Sequence, residues 1–162
     1  MKKQNKIIIF LILLIVICIG IIIFILMNKQ KPDYAPIEID PNVVETDKSG
    51  GKLETSQGGG AVSLSYNSKV EINLNDKKVT LKFKNPYKST QNMKLQVIIE
   101  DNTIAESELI PPGYSIYNLD LKDNIILKKG NYEGKFKIQY YSEENQEKAI
   151  IDTDIPVEIS VK

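Results

Sequence analysis

The sequence predicts an all-β fold: an Ig-like antiparallel β-sandwich of about seven or eight strands, without a disulfide, preceded by one N-terminal transmembrane helix. Three observations lead there. From Val62 onward, apolar residues recur at every second position in short runs. Turn-forming residues separate those runs at intervals of roughly 8–12 residues, the spacing of a sandwich. Before them, Ile7 to Met27 is a stretch of 21 residues without a charge.

The apolar stretch is read first because it sets the location. As a helix rising ~1.5 Å per residue it would be about 31 Å long, matching a hydrocarbon core of ~30 Å. It has no polar face, and it ends Ile-Phe-Ile-Leu-Met rather than in the small residues of a cleavage site, so it is expected to be retained as a signal anchor. Lys2, Lys3, Lys6 and the amino terminus precede it, whereas Lys29 and Lys31 are soon joined by Asp33, Glu38 and Asp40. That asymmetry favours a cytoplasmic N-terminus, residues 1–6, and an extracytoplasmic C-terminal domain. Cys18, the one cysteine, lies inside the stretch and follows Ile17. A lipidation site would require a small residue there, so Cys18 is read as an apolar filler.

Residues 28–61 read as a stalk. Pro32, Pro36 and Pro41 stiffen its start, Ser49-Gly50-Gly51 and Gly58-Gly59-Gly60 loosen its end, and no period of 2 or 3.6 is sustained. A flexible coil of this length would span roughly 30 Å on average and about 110 Å when pulled taut.

Residues 62–162 carry the strands. Val79, Leu81 and Phe83 alternate with lysines and Thr80; Leu95, Val97 and Ile99 alternate with Lys94, Gln96 and Ile98. Tyr132, Phe136, Ile138 and Tyr140 share one face with Gly134, and Ile155, Val157, Ile159 and Val161 close the chain. One apolar and one polar face is the mark of an antiparallel sheet covered on one side. Turns are expected at Asn75-Asp76, Asn85-Pro86, Asp101-Asn102, Pro111-Pro112-Gly113, Asp123-Asn124, Lys129-Gly130-Asn131 and Ser142 to Glu147. Lys128 to Tyr132 is like the start of an Ig-type F strand, where a tyrosine corner ties a loop to the sheet.

Several segments together carry a resemblance: Gly58 to Leu64, Asn85-Pro86, Ser89 with Gln91-Asn92-Met93, Pro112-Gly113, Gly130 to Phe136, Glu147-Lys148-Ala149 and Thr153 to Val157. In these the chain resembles an uncharacterised family of small single-pass membrane-anchored proteins of Clostridia-type Gram-positive bacteria. The likeness covers the stalk end and the ectodomain. It implies a location at the cell membrane and a sandwich fold, and it implies no site residues.

Composition narrows the chemistry. Acidic and basic residues are equal at 21 each, with no arginine, histidine or tryptophan. Nucleic acid is not an expected partner, because the bidentate arginine contacts that carry its recognition are missing. Without histidine or a cysteine outside the apolar stretch, Ser-His, Cys-His and common zinc arrangements are closed. The paired carboxylates Asp152/Asp154 and Glu106/Glu108 could serve acid–base work, giving a remote reading as a carboxylate-dependent hydrolase. Their bland reading is a solvated sheet face. Oxygen-rich loops at Asp120 to Asn124 and Glu143-Glu144-Asn145 lack the ligand spacing of a calcium site. An internal Lys–Asn isopeptide bond is not expected either, since Ile155 to Val161 holds no asparagine. No catalytic residue, cofactor or metal is expected.

The expectation is therefore a non-catalytic interaction module of a bacterial cell envelope, binding another membrane or secreted protein by a sheet edge or a loop. The alternative is a cell-wall glycan-binding module, with Tyr114, Tyr117 and Tyr141 as contact residues. Exposed tyrosines add rigid amphipathic area.

Overall fold

The computed structural model describes residues 14–15, 17–21, 38–55 and 59–162. The chain divides into two units, Met1–Pro32 and Asp33–Lys162. In the first, residues 14–15 and 17–21 are helical. Among the described residues no helix is long and apolar enough to cross a membrane. The span expected over residues 7–27 lies mostly outside the described residues.

The second unit is all β. Among the described residues nine strands form in chain order: β1 Val43–Glu45, β2 Ser65–Tyr66, β3 Lys69–Asn73, β4 Lys78–Asn85, β5 Gln91–Ile99, β6 Asn102–Glu106, β7 Tyr114–Asp120, β8 Gly130–Ser142 and β9 Thr153–Val161. They belong to a single curled open sheet in the order β1-β7-β4-β3-β9-β8-β5-β6, with β2 added to β4. Every pairing is antiparallel except that of β3 with β9. Because β3 bonds β4 on one side and β9 on the other, it joins two half-sheets into one. The curl brings those halves face to face. Phe83 of β4 and Phe136 of β8, both fully buried, meet edge to face with ring centroids 6.3 Å apart.

The inward positions are those the alternation marks. Val79, Leu81, Phe83, Leu95, Val97, Ile99, Phe136, Ile138, Ile155, Val157, Ile159 and Val161 share one core. In the longer strands the period-2 pattern therefore places one face out of water, and each such side chain contributes on the order of 1.5–3 kcal/mol. Pro156 is accommodated inside β9 because the pairing with β3 begins only at Glu158, leaving an open side for a residue without an N–H. Gly134 is required where β8 crosses its neighbours, since a Cβ there would strike the Ile159 side chain and the Ile98 carbonyl oxygen.

Turn chemistry matches the reading at Asn75-Asp76, Gly113, Asp123-Asn124 and residues 143–146, where Gly113, Asn124 and Gln146 take positive φ. Between β5 and β6 the positive-φ pair is Glu100-Asp101, and Asn102 already belongs to β6. The tyrosine corner forms: the Tyr132 hydroxyl donates to the Lys128 carbonyl at 2.9 Å and accepts from the Lys128 N–H at 3.2 Å.

Of the stalk expected over residues 28–61, residues 28–37 and 56–58 lie outside the described residues, and the rest is not a loose coil. Much of it is built into the sheet unit. Val43–Glu45 pairs with Ile116–Tyr114 of β7. Asp40 is buried, and its carboxylate accepts from the backbone N–H groups of Asn42 and Glu108, both at 2.8 Å. Thr46 and Asp47 donate backbone bonds to the Gly113 carbonyl, and Leu53 donates to Lys88. Ala61 and Thr90 exchange bonds, as do Ser63 and Ser89. A stretch with little apolar content is ordered because its polar groups find partners in the turns of the sheet rather than in one another.

Asp47 anchors this strap electrostatically. Hydrogen bonds from the Ser49 hydroxyl and N–H, with the Lys84 ammonium 3.3 Å away, lower its carboxyl from 3.8 to about 2. A depressed carboxyl supports the fold above its unfolded value and loses that support as pH falls. The Ser49 amide resonance should therefore titrate with a midpoint near 2, and a midpoint near 4 would show that the contact does not form. In the core, Phe136→Ala should lower unfolding stability by about 3–5 kcal/mol in urea titrations; a loss below ~1 kcal/mol would mean that the half-sheets do not share a packed core.

Candidate interaction surface

Strand β8 runs about 40 Å at ~3.3 Å per residue, so the connections before and after it sit at opposite ends of the domain. After β8 the chain turns through residues 143–152 into β9. The turn is stiffened locally. The Ser142 N–H donates to the Glu147 carbonyl at 3.0 Å, and the Ala149 N–H to the Tyr140 carbonyl at 2.8 Å. Ala149 packs on the core, and Asp152, at the other side, lies 3.0 Å from the Lys148 ammonium and 3.4 Å from that of Lys137. Between these two anchors Ile150 and Ile151 have nowhere to turn inward. They stand 102% and 73% exposed.

Beside them the surface is concave. A depression of about 830 Å³ is lined by Val62, Gln91, Tyr140, Ala149, Ile150 and Ile151, among others, with Glu144 and Glu147 on its rim. The strap forms its far wall through Gly60 and Val62. Lys52 ties the parts of this end together. Its ammonium donates to the Ser89 carbonyl at 2.8 Å, lies 3.4 Å from Glu143 and stands 5.0 Å from the centre of the Tyr87 ring. Burial raises the pKa of the Tyr140 phenol, against the opposing effect of its hydrogen bond to Thr153 at 2.8 Å. Tyr140 is thus a neutral floor rather than an acid or base at physiological pH.

The three tyrosines expected as contact residues do not gather. Tyr114 is half-buried and packs against the core. Tyr117 points outward from the same strand with 37% of its surface exposed. Tyr141, expected to point into solvent, is only 3% exposed and packs with Leu109. Tyr140 beside it points into the core, and the outer face that Tyr141 occupies is covered as well.

The paired carboxylates are separated by lysines. Asp154 lies 2.9 Å from Lys135, whereas Asp152 faces Lys148 and Lys137. Glu106 lies 3.0 Å from Lys122 and accepts from Gln96 Nε2 at 3.1 Å. Burial opposes its ionisation, but these two hydrogen bonds together with the charges of Lys94 and Lys122 lower its pKa on balance. Glu108 is exposed and uses its backbone N–H on Asp40. Among the described residues no group of three or more Asp, Glu, His or Cys converges as a metal site would require. Neither the protein-family models nor the curated proteins contain a match to the chain.

The loop end was not legible as a surface in the sequence. Ile150-Ile151 continues by eye into the apolar alternation of β9. Only the anchoring of Ala149 and Asp152 shows that the strand has not yet begun. Replacing Ile150 and Ile151 together by serine should leave urea-unfolding stability within about 0.5 kcal/mol, as for surface substitutions; a loss above ~2 kcal/mol would place the pair in the core instead.

Proposed function

We propose that the chain is a non-catalytic interaction module of a bacterial cell envelope, held by residues 7–27 in the cell membrane with its N-terminus cytoplasmic. Its domain is an extracytoplasmic Ig-like β-sandwich that binds another membrane or secreted protein through the loop end. The observation that carries this reading is the outward-held pair Ile150-Ile151 beside a depression floored by Tyr140 and Ala149. Two adjacent isoleucines fixed in water by their neighbours have no role in the core, and they suit a partner that covers them.

Other observations support the parts of the proposal. The uncharged run of 21 residues and the lysines before it fit a retained anchor. The Tyr132 corner, the parallel β3–β9 pairing and the facing half-sheets fit an Ig-like sandwich. Ordering of the strap shortens the tether. Between Met27 and Glu38 stand ten residues, which reach at most about 35 Å when extended. A domain so tethered works on partners in or just above the bilayer. A cell-wall glycan reading has less support, because Tyr114, Tyr117 and Tyr141 lie on separate surfaces and form no common platform.

A photo-crosslinking residue placed at position 150 of the full-length protein in cells tests the site, with one at position 117 as control. The proposal expects a discrete protein adduct from position 150 and none from 117. Adducts from 117 alone, or attached wall fragments in place of protein, would contradict it.

A further inference from the structure

The domain carries a second outward-held apolar residue, at its opposite end. Between β7 and β8 the chain passes through residues 121–129, and there Ile126 is 94% exposed. Its exposure has a structural cause. Ile125 and Leu127 on either side pack against the core, so the alternation forces Ile126 out. The loop is also pinned at both bases. The Leu121 and Lys122 N–H groups donate to the Lys77 and Ile104 carbonyls at 2.9 and 2.8 Å, and the Tyr132 hydroxyl holds Lys128 through both its N–H and its carbonyl.

The two ends carry opposite charge. Residues 143–152 hold four carboxylates against one lysine, whereas residues 121–129 hold three lysines against one carboxylate. Part of this charge is neutralised locally, by Lys52–Glu143, Lys148–Asp152, Lys77–Asp123 and Lys122–Glu106. Glu144 and Glu147 at one end, and Lys128 and Lys129 at the other, are exposed and have no ion pair among the described residues. The first two are also rim residues of the depression beside Ile150.

We infer that the partner this loop end fits is a second copy of the chain, docking head to tail. Ile126 of one copy enters the depression beside Ile150 and Ile151 of the next, and Lys128 and Lys129 face Glu144 and Glu147 across the rim. The inference rests on the loop end being a protein-contact site. Acidic side chains around the isoleucines disfavour the alternative of insertion into an anionic lipid surface, where basic residues are the rule. The contact joins two different surfaces, so it does not close on itself as a two-fold dimer does. It propagates from copy to copy, closing into a ring or running on as a row according to the rotation between copies, with a repeat of about 40 Å set by the length of β8. Confinement of all copies to one membrane raises their effective concentration and favours a contact too weak to hold in dilute solution.

Single-cysteine versions of the full-length protein in membranes test this, in a Cys18→Ser background. One differently tagged version carries Ile126→Cys and the other Ile150→Cys, and a short bifunctional thiol reagent joins cysteines that come together. A crosslinked dimer is expected only when the two versions are mixed, with neither version crosslinking to itself. A chain carrying both cysteines should give a ladder of higher species. Lys128→Glu with Lys129→Glu should abolish the mixed product, and Glu144→Lys with Glu147→Lys on the other copy should restore it. Equal crosslinking within each version, no mixed product, or no restoration by the reciprocal charge swap would overturn the inference. If the mixed product is absent while position 150 still photo-crosslinks a different protein, self-docking falls and the loop-end reading stands. If neither product forms, both fall.

Discussion

The pairing of β3 with both β4 and β9 is the constraint on which the rest of this structure depends. Five residues, Lys69–Asn73, bond antiparallel on one side and parallel on the other. Without that double pairing the strands would form two separate sheets with nothing to fix their facing. With it, the sheet must curl, and the curl brings Phe83 against Phe136. The alternation of buried and exposed residues in β3 follows from the same geometry: Val70 and Ile72 enter the core while Lys69, Glu71 and Asn73 stay in water.

The curl has consequences at both ends. A sheet closed on its apolar face leaves its strand connections as the variable surface, and those connections are polar unless something holds an apolar residue out. Here the holding is done by neighbours in sequence: Ala149 and Asp152 around one isoleucine pair, and Ile125 and Leu127 around the single Ile126. The strap over residues 38–55 and 59–66 adds a further layer at the loop end, fastened by Asp40, Lys52 and the Ser63–Ser89 exchange. Exposed ion pairs elsewhere on the sheet contribute little to stability. The part-buried polar contacts of the strap matter more, because each gives a backbone group a partner within the domain.

Much of the fold was legible in the sequence, for a physical reason: a half-buried strand writes its face into alternate residues. Val79-Leu81-Phe83, Phe136-Ile138-Tyr140 and Ile155 to Val161 are inward where the alternation puts them, and Tyr132 makes its corner bond. The strap was not legible. Its order comes from single polar contacts to distant turns, such as Asp40 to Glu108, and such contacts leave no period in the sequence. Strand β6 was obscured similarly, since only Ile104 and Ala105 of its five residues are buried. By composition a contact surface is expected among the tyrosines, because aromatic residues suit recognition. The structure instead singles out isoleucines, whose exposure depends on backbone anchoring that residue type alone does not reveal.

Ordering of residues 38–55 against the sheet rests on single polar contacts to distant turns. Hydrogen exchange on the full-length protein measures it directly. The amides of Asp40, Val43, Thr46, Asp47 and Leu53 each donate to a backbone carbonyl, and they should exchange slowly and together with the strap's partners in the sheet. Exchange of these amides at the rate of an unstructured chain, with β4 and β8 still protected, would contradict it and return the segment to a long, loose stalk.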